Sequence, residues 1–386
     1  MQNSKFVVLD IGSGKLRLAE LELEEGKLEM DGYVEVEYAG FTDGAFIEDD
    51  LKDACQKLVS DIDVEEVDSV YVGVPSEFCG QIVNEVTSTF DAPLDLGGHT
   101  KDEFMRYAES DELVSKITEG VVIDVDLIEL TAHDRVGSSS VNSANLTGKV
   151  SYIYADKDFL SNVSSVLESF GFKNIEFTCA VNAQFKQMTT QSLRDVGVVL
   201  IDVGYLTTSV AIAKGDAIES LRSFSLGGAH ISADLSQELN IPYKVADSLK
   251  RKVLLTVDPS EVDYYVVNAD GNEYEFQANQ VNKIVKQKIE HIAVMIDKCL
   301  CEEEYAYQFI VTGGALNAIK GAIDTLSSSL GVIVKDGKIE FDDLDRPEQS
   351  AIVSLIRQAS DKVRASQISL PFWKKICEKI KSWFDF

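Results

Sequence analysis

Val8-Leu9-Asp10-Ile11-Gly12 and Leu200-Ile201-Asp202-Val203-Gly204 repeat one pattern in the two halves of the chain. Each is an apolar run that ends in Asp, one further apolar residue and Gly. A second apolar stretch follows each copy, Leu16–Leu21 after the first and Ser209–Ala213 after the second. This predicts a strand, a tight turn and a returning strand, with a carboxylate at the strand end. Gly in the turn lets backbone N–H groups approach an anion. Two such hairpins facing each other would grip a polyphosphate and its metal from both sides.

The 386 residues suggest at least two domains, and 45% hydrophobic content supplies a large core. A net charge of −29 excludes general nucleic-acid binding, which needs a basic footprint. Such an excess suits a soluble cytosolic protein. The six cysteines form no CxxC pair and the four histidines are dispersed, so no metal site is expected from them. Met1–Lys5 runs straight into the first strand, which predicts no signal peptide. No apolar run reaches the length of a membrane span.

Strands alternate with helices in both halves, which predicts a mixed α/β, bilobal fold with a cleft between the lobes. Residues 1–83 and 158–196 read as a first large subdomain interrupted by a small inserted one at 84–157, which contains a Ser/Asn-rich loop at Gly137–Thr147. Residues 197–228 and 305–360 read as a second large subdomain, and 229–304 as a second small one. Residues 361–370 read as a linker, after which Pro371 is expected to break the chain before a final segment at 371–386.

Three Gly-bearing turns stand in order: Asp10-Ile11-Gly12-Ser13-Gly14-Lys15, Asp202-Val203-Gly204-Tyr205-Leu206-Thr207-Thr208 and Thr312-Gly313-Gly314. The first two would hold phosphates and a hydrated Mg²⁺, with Asp10 and Asp202 acting on the metal through water. Lys15 is placed to neutralise phosphate, and Thr207 and Thr208 can donate hydroxyl hydrogen bonds. Gly313 and Gly314 would let backbone pack against the nucleoside.

This ordered set resembles the actin-like ATPase superfamily, and within it FtsA, the actin-like bacterial cell-division family. Ser225-Leu226-Gly227-Gly228-Ala229-His230-Ile231 resembles that family's Val-Gly-Gly-x-His-Ile phrase, which adds Gly227 and Gly228 to the nucleotide site. Ala246–Lys250 resembles an Ala-Glu-x-x-Lys helix near the adenosine, making Asp247 and Lys250 candidate contacts. Gly40–Gly44 and Ser69–Val74 also sit where the family has similar segments, and the inserted subdomain has an FtsA-type position. The resemblance implies ATP and Mg²⁺ as cofactors. The helix about Asn279–Cys299 matches the one that receives the C-terminal peptide of the division tubulin FtsZ, with Lys288 where Arg is usual.

The chain also departs from the family. Tyr205 and Leu206 replace two glycines of the usual Asp-x-Gly-Gly-Gly-Thr-Thr turn, and Thr178-Cys179 replaces a Glu-Pro. No carboxylate stands out to position water; Gln184 is the nearest polar candidate for a catalytic role. The sequence therefore predicts ATP binding with slow hydrolysis at most, and leaves open a fold retained around a disabled pocket.

Phe372–Phe386 carries both tryptophans of the chain. Wound as a helix, it places Phe372, Trp373, Ile376, Cys377, Ile380, Trp383 and Phe384 within an arc of roughly 140°, with Lys374 and Lys375 off that arc. At about 23 Å it is too short to span a bilayer. Its apolar, aromatic face beside lysines predicts an in-plane helix on an anionic membrane surface.

The reading is an ATP-binding actin-like division protein. It polymerises, ties FtsZ filaments to the cytoplasmic face of the membrane at the septum, and recruits later division proteins. The alternatives are an actin-like scaffold of type IV pilus machinery and a sugar or metabolite kinase on the same fold.

Overall fold

A computed structural model describes residues 3–38, 41–42, 45–46, 48–95, 98–132, 142–300 and 307–384. The first half opens with β1 (Ser4–Ile11), β2 (Lys15–Glu24) and β3 (Lys27–Glu37), successive antiparallel strands. A short ribbon of β4 (Phe41–Thr42) and β5 (Ala45–Phe46) leads to α1 (Glu48–Leu58) and then β6 (Ser69–Val74), which pairs in parallel with β1. Of the motif at Gly40–Gly44, residues 40, 43 and 44 lie outside the described residues.

The chain then leaves the sheet. β7 (Cys79–Asp95), α2 (Gly98–Ala108), α3 (Asp111–Val114), β8 (Val121–Ala132) and β9 (Asn142–Ala155) build a separate three-stranded sheet in the order β7-β9-β8. Its own core joins Phe104, Leu127, Leu146, Val150 and Tyr152. β7 starts at Cys79, a few residues before the boundary expected at 84. The Ser/Asn-rich stretch read as a loop to Thr147 enters β9 at Asn142, and residues 133–141 are not among those described. The chain returns through α4 (Lys157–Ser169), whose N-terminus is capped by Asp156, and β10 (Ile175–Cys179). Helices α5 (Ala180–Met188) and α6 (Gln191–Val196) close this half.

The second half repeats the plan. β11 (Val198–Val203), β12 (Thr208–Lys214) and β13 (Ala217–Phe224) are antiparallel. Next come α7 (Gly228–Leu239), α8 (Tyr243–Lys250), the hairpin β14 (Tyr264–Ala269) and β15 (Asn272–Gln277), and α9 (Ala278–Cys299). Then β16 (Gln308–Thr312) pairs in parallel with β11, followed by α10 (Gly314–Asn317), α11 (Ala322–Leu330), β17 (Val334–Asp336) and α12 (Ser350–Phe384).

The two five-stranded sheets, β10-β6-β1-β2-β3 and β17-β16-β11-β12-β13, have the same order and sense. In each, the first hairpin strand has a parallel neighbour on one side and its antiparallel return on the other. Both central strands are buried on both faces, which is why they read as continuous apolar runs.

The final helix ties the halves together. Although it follows the second sheet, α12 lays Ile352, Val353, Leu355, Ile356, Ala359 and Val363 on Phe6, Val8, Ala19, Leu21 and Leu23 of the first. Gly73 of β6 is needed there, since a Cβ would lie 2.4 Å from the Leu355 side chain.

This corrects the linker expected at 361–370. Val363 is buried, and the Gln367 amide donates to Ser4 Oγ at 3.1 Å. The backbone stays helical through Pro371, which the sequence reading had treated as a break. Proline removes one hydrogen-bond donor, but the packed first turns of α12 have already nucleated the helix.

Candidate functional site

Both acid-ended hairpins close in the same way. Gly12 N–H donates to Lys15 O at 3.1 Å, and Gly204 N–H donates to Thr207 O at 2.9 Å. Asp10 and Asp202 end equivalent strands and lie near enough to act on each other electrostatically. Their surroundings differ.

Asp10 is buried and stands opposite Arg17 in the register of the first hairpin. The Arg17 guanidinium, itself buried, donates to Asp10 Oδ2 at 3.1 Å and lies 3.7 Å from Glu35. Burial pushes the Asp10 carboxyl above the usual range, with Arg17 pulling the other way. Glu35 also accepts from Lys15 Nζ at 2.7 Å and from Arg346 at 3.2 Å. Burial would raise Glu35, yet these cations hold it below the usual range. Lys15, expected to neutralise phosphate, is therefore paired within the protein.

Among the described residues, no cation stands at hydrogen-bond distance from Asp202. Its Oδ2 accepts from Gln184 Nε2 at 3.0 Å, and the same amide donates to Ser350 Oγ at 3.1 Å. Burial pushes Asp202 up to about 6, the Gln184 bond opposes this, and the Asp10 charge adds to it. Gln184, picked from sequence as a polar candidate, thus touches the second acid directly. Its Oε1 is buried without a partner.

Glu77, which sequence reading missed, follows β6 three residues after Val74. Its Oε1 accepts from Thr207 Oγ1 at 3.4 Å, and burial, with Asp202 adding, raises its pKa. The available signal was its place beyond Gly73, the β6 partner of Asp10. Thr208, by contrast, is fully buried and donates to Leu226 O at 2.6 Å.

The turn of the second hairpin reaches across to the first. Leu206 N–H donates to Ser13 Oγ at 3.1 Å. The Tyr205 ring lies on Gly14, where a Cβ would come within 2.7 Å of it. On its other side the turn seals the start of α7: Gly228 N–H donates to Gly204 O at 3.0 Å and Ala229 N–H to Tyr205 O at 2.8 Å. Gly227 permits this approach, since a Cβ there would lie 2.5 Å from Gly204 O.

Gly313, at φ +89°, packs its Cα against Asp202; a Cβ would meet Oδ1 at 2.3 Å. Gly314 packs on Glu348. Lys250 is buried, and its ammonium donates to Gly228 O at 3.0 Å, Ser232 Oγ at 2.9 Å and Asp247 Oδ1 at 2.7 Å. Those three acceptors use all three of its protons. Asp247 also accepts from Arg251 at 3.1 Å. The pair expected to meet a nucleoside is engaged inside the protein.

Lys288, on α9, pairs with Asp234 of α7 at 2.7 Å. The backbone of the tail is helical to Phe384, while the side chains of Phe372, Trp373, Lys374, Lys375, Ile376, Ile380, Trp383 and Phe384 are outside the described set. No group of three metal-ligating side chains occurs among the described residues. No helix among them is long and apolar enough to cross a membrane.

Two matching sheets, each led by an acid-ended hairpin at the junction of the halves, define an actin-like ATPase fold. Solved structures agree. A chain of a PilM–PilN type IV pilus biogenesis complex has a TM-score of 0.56 at 14% identity, covering 91% of this chain and 97% of that one. MreB5 of Spiroplasma citri, bound to AMPPNP, has a TM-score of 0.57 at 12% identity, covering 96% and 100%. At such identities the likeness concerns the fold alone.

Sequence comparison adds a narrower likeness, to FtsA. The family model "Cell division protein FtsA" matches residues 199–354. Cell division protein FtsA of Bacillus subtilis is 21% identical over 379 residues, covering 94% of this chain and 85% of the relative. That of Neisseria meningitidis is 25% identical over 258 residues, covering 64% of this chain and 61% of the relative. The resemblance to FtsA carried by the motifs is thus found across most of the chain.

Proposed function

We propose that this chain is an actin-like scaffold of bacterial cell division that fastens FtsZ filaments to the cytoplasmic membrane at the septum. The observation that carries this reading is the FtsA match over residues 199–354, which spans the second hairpin and helices α7 to α9. In this reading α9 receives the FtsZ C-terminal peptide. Lys288 would contribute only by exchanging its Asp234 partner for an acid of the peptide, a trade that favours a charged ligand.

The end of α12 supplies the membrane anchor. Residues 371–386 combine two Trp with four Lys in a chain of net charge −29. A single amphipathic helix binds reversibly, and a polymer that presents many of them gains avidity. Self-assembly and membrane attachment would then reinforce each other, and the assembled surface would recruit later division proteins.

ATP and Mg²⁺ belong to the same reading, and the cleft suits them unequally. Asp10, buried, and Asp202, partly buried, are two acids whose carboxyls burial raises, a donor set that favours a hydrated divalent cation. Such a cation would offset the charge of the phosphates. The phosphate side does not fit in the observed arrangement, because Tyr205 covers Gly14 and the first N–H groups of α7 are bonded to the second hairpin. No catalytic step is assigned. The likeness to the pilus chain concerns only the fold, and a kinase would need a substrate pocket with a base.

Co-sedimentation with anionic liposomes tests the anchor. The full chain is expected to pellet with them, and a chain lacking 371–386 to remain in the supernatant. Equal pelleting of the two would sink the anchor. Titration with an FtsZ C-terminal peptide should show binding that Lys288→Glu weakens at least about tenfold, the cost of reversing one close charge.

A further inference from the structure

We propose that Tyr205 and Leu206 form an internal latch, which closes the two hairpins on each other without nucleotide and competes with ATP for the cleft. The inference rests on the reading of this cleft as a nucleotide site. An anion between two hairpins is held by turn N–H groups and by cations aimed into the gap. Here several of those groups are satisfied from within.

The N–H of Leu206 is given to Ser13 Oγ, and those of Gly228 and Ala229 to the carbonyls of Gly204 and Tyr205. Lys15 is held by Glu35, and Lys250 by three oxygens. Arg17 already sits on Asp10 as a resident cation. The Tyr205 ring completes the closure by lying on Gly14, with its hydroxyl 3.0 Å from that of Tyr243.

The latch is built to open. Tyr205 is 42% exposed, so its ring can swing into solvent without emptying a packed core. Once it moves, Gly14 is uncovered; the Tyr205 carbonyl belongs to the backbone and releases Ala229 N–H only when the turn itself shifts. The cleft therefore has a closed internal state and an open state that accepts nucleotide. A ligand that binds only the open state has its affinity reduced by the fraction of open molecules.

The test is the binding of a fluorescent ATP analogue with Mg²⁺ to the full chain. Tyr205→Gly with Leu206→Gly should tighten binding at least about tenfold over wild type, the factor set by a latch populated about ten to one. Tyr205→Ala, which keeps the Leu206 side chain and a stiffer turn, should gain less. Hydrogen exchange supplies a second reading: Gly228 and Ala229 should exchange slowly in the wild type with or without ATP. In the double variant, whose added glycines loosen the turn that carries the two acceptor carbonyls, they should exchange faster until ATP is added.

Should the double variant fail to fold, Tyr205→Ala decides by the same two readings. Equal affinity in wild type and variants, or no binding in any of them, overturns the latch. So does fast exchange at Gly228 and Ala229 in the wild type without ATP. Liposome and peptide binding by the wild type judge the scaffold reading separately, since neither uses the cleft.

Discussion

The two acid-ended hairpins occupy equivalent places in equivalent sheets, yet among the described residues only the first carries its own counter-charge. The difference arises at one register position. Asp10 stands opposite Arg17, and Asp202 stands opposite Ser209. One lobe thus presents a neutralised pair, and the other an acid held by an amide and pushed up to about 6 by burial. A duplicated fold has kept its geometry while dividing its electrostatics, and the second hairpin is also the one whose turn has become bulky.

The strongest way to break this comparison is to remove the counter-charge. Arg17→Ala leaves Asp10 buried without its cation and is expected to cost about 3–5 kcal/mol in urea unfolding, as for other broken buried pairs. Adding Asp10→Asn to that variant should recover much of the loss, because the uncompensated charge disappears. A cost under about 1 kcal/mol would place the pair in the range of a surface ion pair and end the claim that the first hairpin is internally neutralised.

The second hairpin should respond with the opposite sign. The folded-state pKa of Asp202 lies above its ordinary value, so between about pH 4 and 6 the folded chain keeps a proton that the unfolded chain releases. Stability from this group therefore falls as pH rises through that window. Asp202→Asn should stabilise the chain by about 1–3 kcal/mol at pH 7 and flatten the pH dependence of the urea midpoint between pH 4 and 7. Some slope should persist, since Asp10 is raised as well. Destabilisation at pH 7 would show that the acid has a cation partner in solution.

Much of this geometry was legible in the residues, and the contrast again follows the two hairpins. The apolar-Asp-apolar-Gly phrase works as a signal because a strand buried on both faces has no alternation to blur it. The duplicated sheets followed from finding it twice. Arg17 was not legible. Between Leu16 and Leu18 it reads as an outward strand position, and only the register brings it onto Asp10. Glu77 was hidden for the same reason, since it reaches the site through a parallel pairing of distant segments.

The two lysines expected at the nucleotide share one pattern. Lys15 and Lys250 stand where phosphate or nucleoside contacts are expected, but a chain with 65 acidic residues and 36 basic ones offers many competing partners. Glu35 and Asp247 took them. Pro371 misled because local propensity was read without the tertiary packing that carries α12 up to it.

The smallest expected effect concerns Lys15, and it separates a structural from a ligand-holding role. Glu35 is shared by Lys15, Arg346 and, at 3.7 Å, Arg17. Removing one cation leaves two, and the Lys15 side chain is about one-third exposed, so solvent screens its loss. Lys15→Ala should cost at most about 1 kcal/mol, and the cost should shrink in high salt. It should also let the Glu35 carboxyl rise towards its ordinary range, because Lys15 is the foremost group holding it down. The decisive comparison is with Arg17→Ala in the same urea assay. If both substitutions cost the same, the first hairpin is stabilised by diffuse positive charge around Glu35 rather than by the single contact between Arg17 and Asp10.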